Sequence, residues 1–329
     1  MTGPAFSYAR AGDIAEALFQ GARPGAAFLA GGTDLLQLWK ANITAPQQLI
    51  DISRLPLAGA AIIDGALVLG ALARLSEIGA DRVVAQDYPL LEQAIASTAS
   101  GQVRNMATVG GNLLQRTRCV YFRTEGHACN KRAPGSGCGA RDGENRQAAL
   151  FGASAACVAT HASDLAVALV ALESEVEILA PTGSRRLPLC DLYAPPAASP
   201  ERDTTLAPGE LISRVHVPAA ARFAPRSTYL KVRDRASFEF AVVSVAAALR
   251  VEDGVIVEAR LAAGGVAPAP WRLRQSEATL VGRAPAQAAF AAAADLAIVG
   301  AEPLAHNGFK IELLRRAVMR ALTSVGGQS

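Results

Sequence analysis

Phe28-Leu29-Ala30-Gly31-Gly32-Thr33-Asp34-Leu35 is a short apolar run that breaks into a glycine pair. From Asp34 to Ile43, Leu35, Leu38 and Trp39 then recur at helical spacing, so the stretch reads as strand, tight turn and helix. Glycine lets a backbone adopt left-handed angles and approach a ligand closely. Successive N–H groups in such a turn, at a helix N-terminus, can point into a phosphate. Thr33 adds a hydroxyl donor. Thr108-Val109-Gly110-Gly111-Asn112-Leu113 offers the same chemistry a second time. Neither motif fits G-x-G-x-x-G or G-x-x-x-x-G-K-[ST], so Rossmann and P-loop readings fail. Each Gly-Gly is also what an ordinary tight turn looks like. Residue types alone stop at a candidate phosphate site.

Outward from these motifs, the first half alternates short strands and helices. Gln48 to Ile52, Leu67 to Leu69 and Glu175 to Leu179 have strand character, as does Cys157 to Thr160. Leu90 to Ala99 reads as a helix, and Ser163-Asp164 offers an N-cap for another over Leu165 to Leu172. Residues 194–209 carry Pro195, Pro196, Pro200 and Pro208, the texture of a surface loop near a domain boundary. Beyond it, Ala241 to Val251 and Val255 to Ala263 flank Asp253-Gly254, a hairpin signal. Helices over Gln287 to Ile298 and Phe309 to Leu322 follow, which implies a separate α+β domain of roughly 100 residues.

A chain of 329 residues has room for two or three such units, and 51% hydrophobic content argues against disorder. The net charge of +3 and basic runs no longer than pairs exclude a nucleic-acid footprint. No apolar stretch is long enough for a membrane span. Residues 1–10 lack the features of a signal peptide, so synthesis in the cytoplasm is expected.

Cys119, Cys129, Cys138 and Cys157 are spaced C-x9-C-x8-C-x18-C, starting just after the second glycine motif. Zinc modules usually pair cysteines as C-x-x-C, which this spacing does not match. Four thiolates from separate loop positions suit an iron–sulfur cluster better. Gly126, Gly135, Gly137, Gly139 and Gly143 would let the segment wrap around a cofactor, and Lys131, Arg132 and Arg141 would offset its negative charge. Unconnected thiols remain an alternative on spacing alone, with Cys157 the most structural of the four. His127 is a spare ligand, and Cys190 reads as an ordinary buried thiol.

The order Ala30-Gly-Gly-Thr-Asp-Leu, Thr108-Val-Gly-Gly-Asn-Leu, then Ser163-Asp164-Leu-Ala-Val-Ala-Leu resembles the FAD-binding subunit of the xanthine dehydrogenase family. Tyr229-x-Lys231-x-x-x-Arg235, Phe238-Glu239 and Thr205-Leu206-x-x-Gly209-Glu210-Leu-Ile extend the likeness over nearly the whole chain. Arg118-Cys119-x-Tyr121-Phe122-Arg123 and the segment Cys129 to Cys138 resemble the aldehyde oxidoreductase branch, whose flavin subunits carry an additional 4Fe–4S cluster.

This resemblance implies an α+β protein. An FAD-binding domain of the p-cresol methylhydroxylase type, with two α/β subdomains, would span residues 1–220 and hold a cluster-binding insert at about 114–157. A smaller α+β domain would occupy residues 221–329. Ala30, Gly31, Gly32, Thr33 and Asp34, with Thr108, Gly110, Gly111 and Asn112, would hold the FAD pyrophosphate and ribityl chain. Asp164 would bond the ribityl or flavin region. Lys231 would lie near the isoalloxazine, although a lysine on an edge strand is otherwise simply solvated. The four clustered cysteines would ligate the 4Fe–4S cluster. The resemblance also implies partners, a 2Fe–2S small subunit and a large molybdenum cofactor subunit, and an external electron acceptor. It leaves open export to the periplasm with a partner. No residue is assignable as a catalytic base or nucleophile. A free-standing flavin oxidase and a non-enzymatic zinc protein are the rival readings.

Overall fold

The computed structural model describes residues 5–197 and 199–327. A parallel three-stranded sheet opens the chain. Strands β1 (Ser7–Arg10), β2 (Ala26–Leu29) and β3 (Gln48–Asp51) lie in the order β1-β3-β2, both outer strands parallel to β3. Parallel neighbours need crossovers, and the helices Ile14–Gly21 and Leu35–Lys40 provide them. Asp13 caps the first by accepting from the Glu16 amide. The first glycine motif follows the carboxyl end of β2, where open parallel sheets receive ligands.

Strands β4 (Ala60–Ile63), β5 (Ala66–Gly70), β6 (Glu175–Ala180), β7 (Gly183–Pro188) and β8 (Leu211–Val217) form an antiparallel sheet in the order β4-β5-β8-β6-β7. Between β5 and β6 the chain makes a long excursion. It contains the helix Pro89–Ala96, the second glycine motif, the clustered cysteines and the helix Asp164–Ala171. All eight residues of that last helix are buried, as its apolar surface on every side requires.

The third sheet is antiparallel, β12 (Trp271–Arg272)-β11 (Val255–Gly264)-β10 (Val243–Glu252)-β9 (Ser227–Val232). Asp253 and Gly254 both have positive φ, so the expected hairpin closes through a primed turn. The apolar run of β10 is nearly continuous because both its faces are covered. Val243, Val245, Ala247 and Leu249 join the core beneath the helices Arg274–Leu280, Gln287–Leu296 and Phe309–Gly326. Ala246 and Ala248, on the opposite face, join the core around Asp164–Ala171. That approach is close: a Cβ on Gly264 would sit 2.6 Å from Val167 Cγ2.

The α+β class holds, and both helices expected after the hairpin are present, as Gln287–Leu296 and Phe309–Gly326. The strand expected over Cys157 to Thr160 is not. These residues belong to no ladder, and scattered partners take their carbonyls. Ala149 N–H donates to Val158 O at 2.9 Å and Thr117 Oγ1 to Thr160 O at 2.9 Å. The apolar run is buried by loops rather than by a sheet. The described residues of 194–209 lie outside the named helices and strands, as expected, and Asp203 among them is only partly exposed between two cations.

The C-terminal domain also clamps the excursion. Asn307 Nδ2 donates to the carbonyls of Ala148 and Ala149, each at 3.1 Å. Lys310 is buried, and its Nζ donates to Ala148 O at 2.9 Å and to Gly265 O. Burial, with Arg146 nearby, pushes the Lys310 ammonium down to about 7 from an ordinary 10.5. Below about pH 7 folded and unfolded chains both hold this proton, and the cost of burying the charge is present in full. Between about 7 and 10.5 the folded chain releases a proton that the unfolded chain keeps, so this group's contribution to stability rises with pH. Thermal melts of wild type and Lys310→Met across pH 7–10 are therefore expected to diverge in favour of the wild type as pH rises. A difference independent of pH would contradict this.

Candidate functional site

The two glycine motifs meet in space. A Cβ on Gly31 would lie 1.9 Å from Met106 O, so only glycine fits against the backbone leading into Thr108. Gly32 adopts φ +68°, a left-handed angle that reverses the chain into the helix Leu35–Lys40. Among the described residues, the amides of Gly31, Gly32, Thr33 and Asp34 donate to no protein acceptor. Orphan amides are costly unless water or a ligand meets them. Here they border a cavity of about 270 Å³. The first motif therefore has the construction of an anion cradle.

The second motif is built differently from the first. Val109 N–H donates to Ala73 O, Gly110 N–H to Ala71 O, Asn112 N–H to Thr108 O and Gly111 N–H to Thr108 Oγ1. All four amides are committed within the protein, and the Thr108 hydroxyl caps the short helix Val109–Leu113. What this motif lends the cavity is bare backbone at Gly110 and Gly111. Asn112 is buried, and its Oδ1 accepts from the hydroxyl of Ser163, the N-cap of Asp164–Ala171.

Asp34 also departs from a simple ligand role. Its carboxylate accepts from the Arg116 amide at 2.8 Å, Arg118 Nη1 at 2.9 Å and Arg123 Nη2 at 2.7 Å. It fastens the glycine motif to the start of the cysteine stretch. Burial pushes the Arg118 guanidinium down to about 10, against the pull of Asp34. Arg118 stacks over Phe240, 4.6 Å from the ring centroid.

The first cavity is contiguous, through Thr33, Asp34, Gly111 and Gln115, with a second of about 230 Å³ that reaches Asp164 and Lys231. Lys231 lies on the edge strand β9, yet its side chain is buried. Its Nζ is 2.7 Å from Asp164 Oδ2 and donates to Ser97 O at 3.0 Å. Tyr229 Oη donates to Asp164 Oδ1 at 2.7 Å, and Thr98 Oγ1 adds a longer contact of 3.4 Å to Oδ2. Burial pushes the Asp164 carboxyl above its ordinary value, while Lys231, Tyr229 and Thr98 pull against that. Phe238 and Phe240, both exposed, stand at the mouth, Phe238 at a positive φ of 52°. A third cavity of about 320 Å³ continues past Arg118 and Asp164 to His161. Burial pushes the His161 imidazole down to about 4, so it is neutral at pH 7.

The four clustered cysteines line one small pocket, although they arrive on three separate segments. Cys129 and Cys138 face each other across an isolated antiparallel bridge. Cys119 precedes the helix Val120–Arg123, and Cys157 comes from the irregular segment beyond. Burial raises the Cys119 and Cys157 thiols, Lys131 lowers Cys157, and the neighbouring thiols raise both. Among the described residues, no group of three or more His, Cys, Asp and Glu side chains is placed to hold a metal ion. The thiols therefore share a pocket without closing on one point. His127 packs edge-on against Tyr121 and does not line it. Cys190, expected to be buried, is exposed, because the one-turn helix Leu189–Leu192 turns Leu189 and Leu192 inward instead.

Some functional candidates escape a reading of the sequence. Thr98, Arg116 and His161 are single polar residues without a motif that only the fold brings to these cavities, and Asp203 joins them by pairing with Arg116 and Lys131.

Residues 4–220 match the FAD binding domain in molybdopterin dehydrogenase, and residues 228–325 match the CO dehydrogenase flavoprotein C-terminal domain. The chain is 45% identical over 328 residues to the aldehyde oxidoreductase FAD-binding subunit PaoB of Escherichia coli K12, covering 99% of each. It is 27% identical to the carbon monoxide dehydrogenase medium chain of Hydrogenophaga pseudoflava, covering 98% of each. The solved carbon monoxide dehydrogenase of that organism superposes with a TM-score of 0.77 at 26% identity, over 99% of this chain and 98% of that one.

The Asp164–Lys231 pair makes a direct test of the site's construction. Breaking a buried pair by removing one partner costs about 3–5 kcal/mol, because the other charge is left uncompensated. Asp164→Asn and Lys231→Met are each expected to lose stability on this scale in denaturant melts. The double variant is expected to lose less than the sum. Small, additive losses would show that the two groups are not coupled.

Proposed function

The chain belongs to the family of FAD-binding medium subunits of molybdenum hydroxylases, and on that premise we propose that it is the FAD and 4Fe–4S electron-transfer subunit of a molybdenum-dependent aldehyde oxidoreductase. When bound, the two cofactors would supply reversible electron uptake that no amino-acid side chain offers. The four unpaired amides of residues 31–34 would take the FAD pyrophosphate, with the Thr33 hydroxyl beside them. Ala30, Gly110 and Gly111 would leave room for the ligand's backbone, while Thr108 and Asn112 would hold the cavity wall in shape. Lys231 and Asp164 would border the isoalloxazine end, where the lysine's charge favours a reduced, anionic flavin.

One observation carries the iron–sulfur part. Cys119, Cys129, Cys138 and Cys157, scattered over the excursion, line a single pocket, and Asp34 ties the segment that starts it to the amide cradle. Four thiols at C-x9-C-x8-C-x18-C spacing suit a multi-iron cluster better than a zinc module built on C-x-x-C pairs.

The reading as a subunit rests on the family of the chain and on its 45% identity to an FAD-binding subunit of an aldehyde oxidoreductase. Asp164 is paired with Lys231, Asp34 with arginines, and His161 has both ring nitrogens near backbone groups. Aldehyde oxidation is therefore assigned to a molybdenum cofactor subunit. A 2Fe–2S subunit would lie between it and this chain, and an external acceptor would take the electrons from FAD. No helix among the described residues is long and apolar enough to cross a membrane, and the final compartment would be set by whichever partner carries an export signal.

The test is to co-purify the chain with its partners and compare dye-coupled aldehyde oxidation by the complex and by the isolated chain. Turnover is expected only from the complex. Robust turnover by the chain alone would make it a free-standing flavin oxidase. In the same preparation Cys138→Ser is expected to lose cluster iron while retaining FAD. Unchanged iron would remove Cys138 from the ligand set, and zinc in place of iron in the unmutated protein would overturn the cluster.

A further inference from the structure

Five cations lie between Cys119 and Cys157; Arg123 pairs with Asp34 and Arg146 with Asp234, and the structure separates the roles of the other three. Arg132 turns its guanidinium onto the backbone carbonyls of Tyr121, Phe122, Thr124 and His127, while Arg141 bonds Ser154 O. Both brace loops. Only Lys131 lines the thiol pocket. Its side chain is 7% exposed, with Nζ 2.6 Å from Asp203 Oδ1. The other oxygen of the same carboxylate receives Arg116 Nε, and Arg116 lines the cavity of the first glycine motif. Arg116 also stacks over Phe122, a wall of the thiol pocket. One carboxylate, contributed by the proline-rich loop, thus holds one cation at each cavity. Burial alone would raise the Asp203 carboxyl, but Arg116 and Lys131 outweigh it and keep it below its ordinary value.

We infer that Lys131 is a positioning residue whose charge sets the reduction potential of the centre held by the thiol pocket, and that Asp203 limits that effect. The inference rests on the iron–sulfur reading above. A cluster's potential follows the charges around it, and a nearly buried ammonium is poorly screened by solvent ions. Adding an electron makes the centre more negative, which Lys131 favours and Asp203 opposes. The two residues therefore act with opposite sign, which distinguishes an electrostatic role from a merely structural one.

The experiment is a redox titration of the assembled complex, followed by electron paramagnetic resonance, with iron and FAD measured per chain. Lys131→Met is expected to shift the cluster midpoint to more negative potential, Asp203→Asn to shift it positive, and Lys131→Arg to leave it near the wild-type value. If Lys131→Met does not retain iron, Asp203→Asn and Lys131→Arg decide the matter by the same criteria. Midpoints that stay put in iron-loaded variants, or that move in the same direction for both charge removals, overturn the inference. A wild-type complex that shows 2Fe–2S signals but none from a 4Fe–4S centre would instead remove the reading beneath it.

Discussion

A carboxylate taken out of water must be met by charge and hydrogen bonds, and at Asp164 that requirement draws three parts of the chain together. Thr98 comes from the end of the helix Pro89–Ala96, Tyr229 and Lys231 come from β9, and Asp164 itself opens the buried helix Asp164–Ala171. The C-terminal sheet is therefore joined to the FAD-binding part by a polar knot at the start of this helix, and at its end by Arg272, which donates to Val170 O and pairs with Glu173. Alanines on β10 allow the helix to lie close, and Gly264 has no room for a side chain against Val167. The wall of the second cavity is a by-product of this packing. Its charges are fixed before any ligand arrives, as preorganised cofactor sites require.

Asp34 plays the corresponding part at the other end. A carboxylate beside an anion cradle would repel a phosphate if it were free. Three donors from residues 116–123 occupy it instead, which turns it away from that role and into a fastener. Asp203 repeats the device one layer out, with Arg116 on one side and Lys131 on the other. The amide cradle and the thiol pocket consequently share a rim of alternating charges. Movement of the cysteine stretch would have to break these pairs, so the two cavities are held in fixed relation.

The strand–turn–helix around Gly31 was legible because glycine, helical periodicity and position all agreed. The Asp253-Gly254 hairpin was legible for the same local reason. Convergence of the thiols was not. Residues 114–157 contain only single turns of helix, so no period relates Cys119 to Cys157, and spacing alone carries little geometry. The strand expected over Cys157 to Thr160 failed because apolar character reports burial and not the identity of the partner. Lys231 was hard to place for a related reason. An edge strand exposes one row of backbone groups, but here the helix Pro89–Ala96 covers the face from which this side chain projects. The roles of Asp34 and Thr108 depend on partners that local pattern does not reveal: arginines more than 80 residues away for Asp34, and the motif's own amides for Thr108.

The central claim is that one chain holds a flavin in the amide cradle and a cluster in the thiol pocket. Anaerobic purification followed by quantification of iron, acid-labile sulfide, zinc and FAD on this chain tests it most directly. The expected result is FAD together with iron and sulfide in the proportions of one 4Fe–4S cluster per flavin. FAD accompanied by zinc, or by no metal at all, would contradict the account.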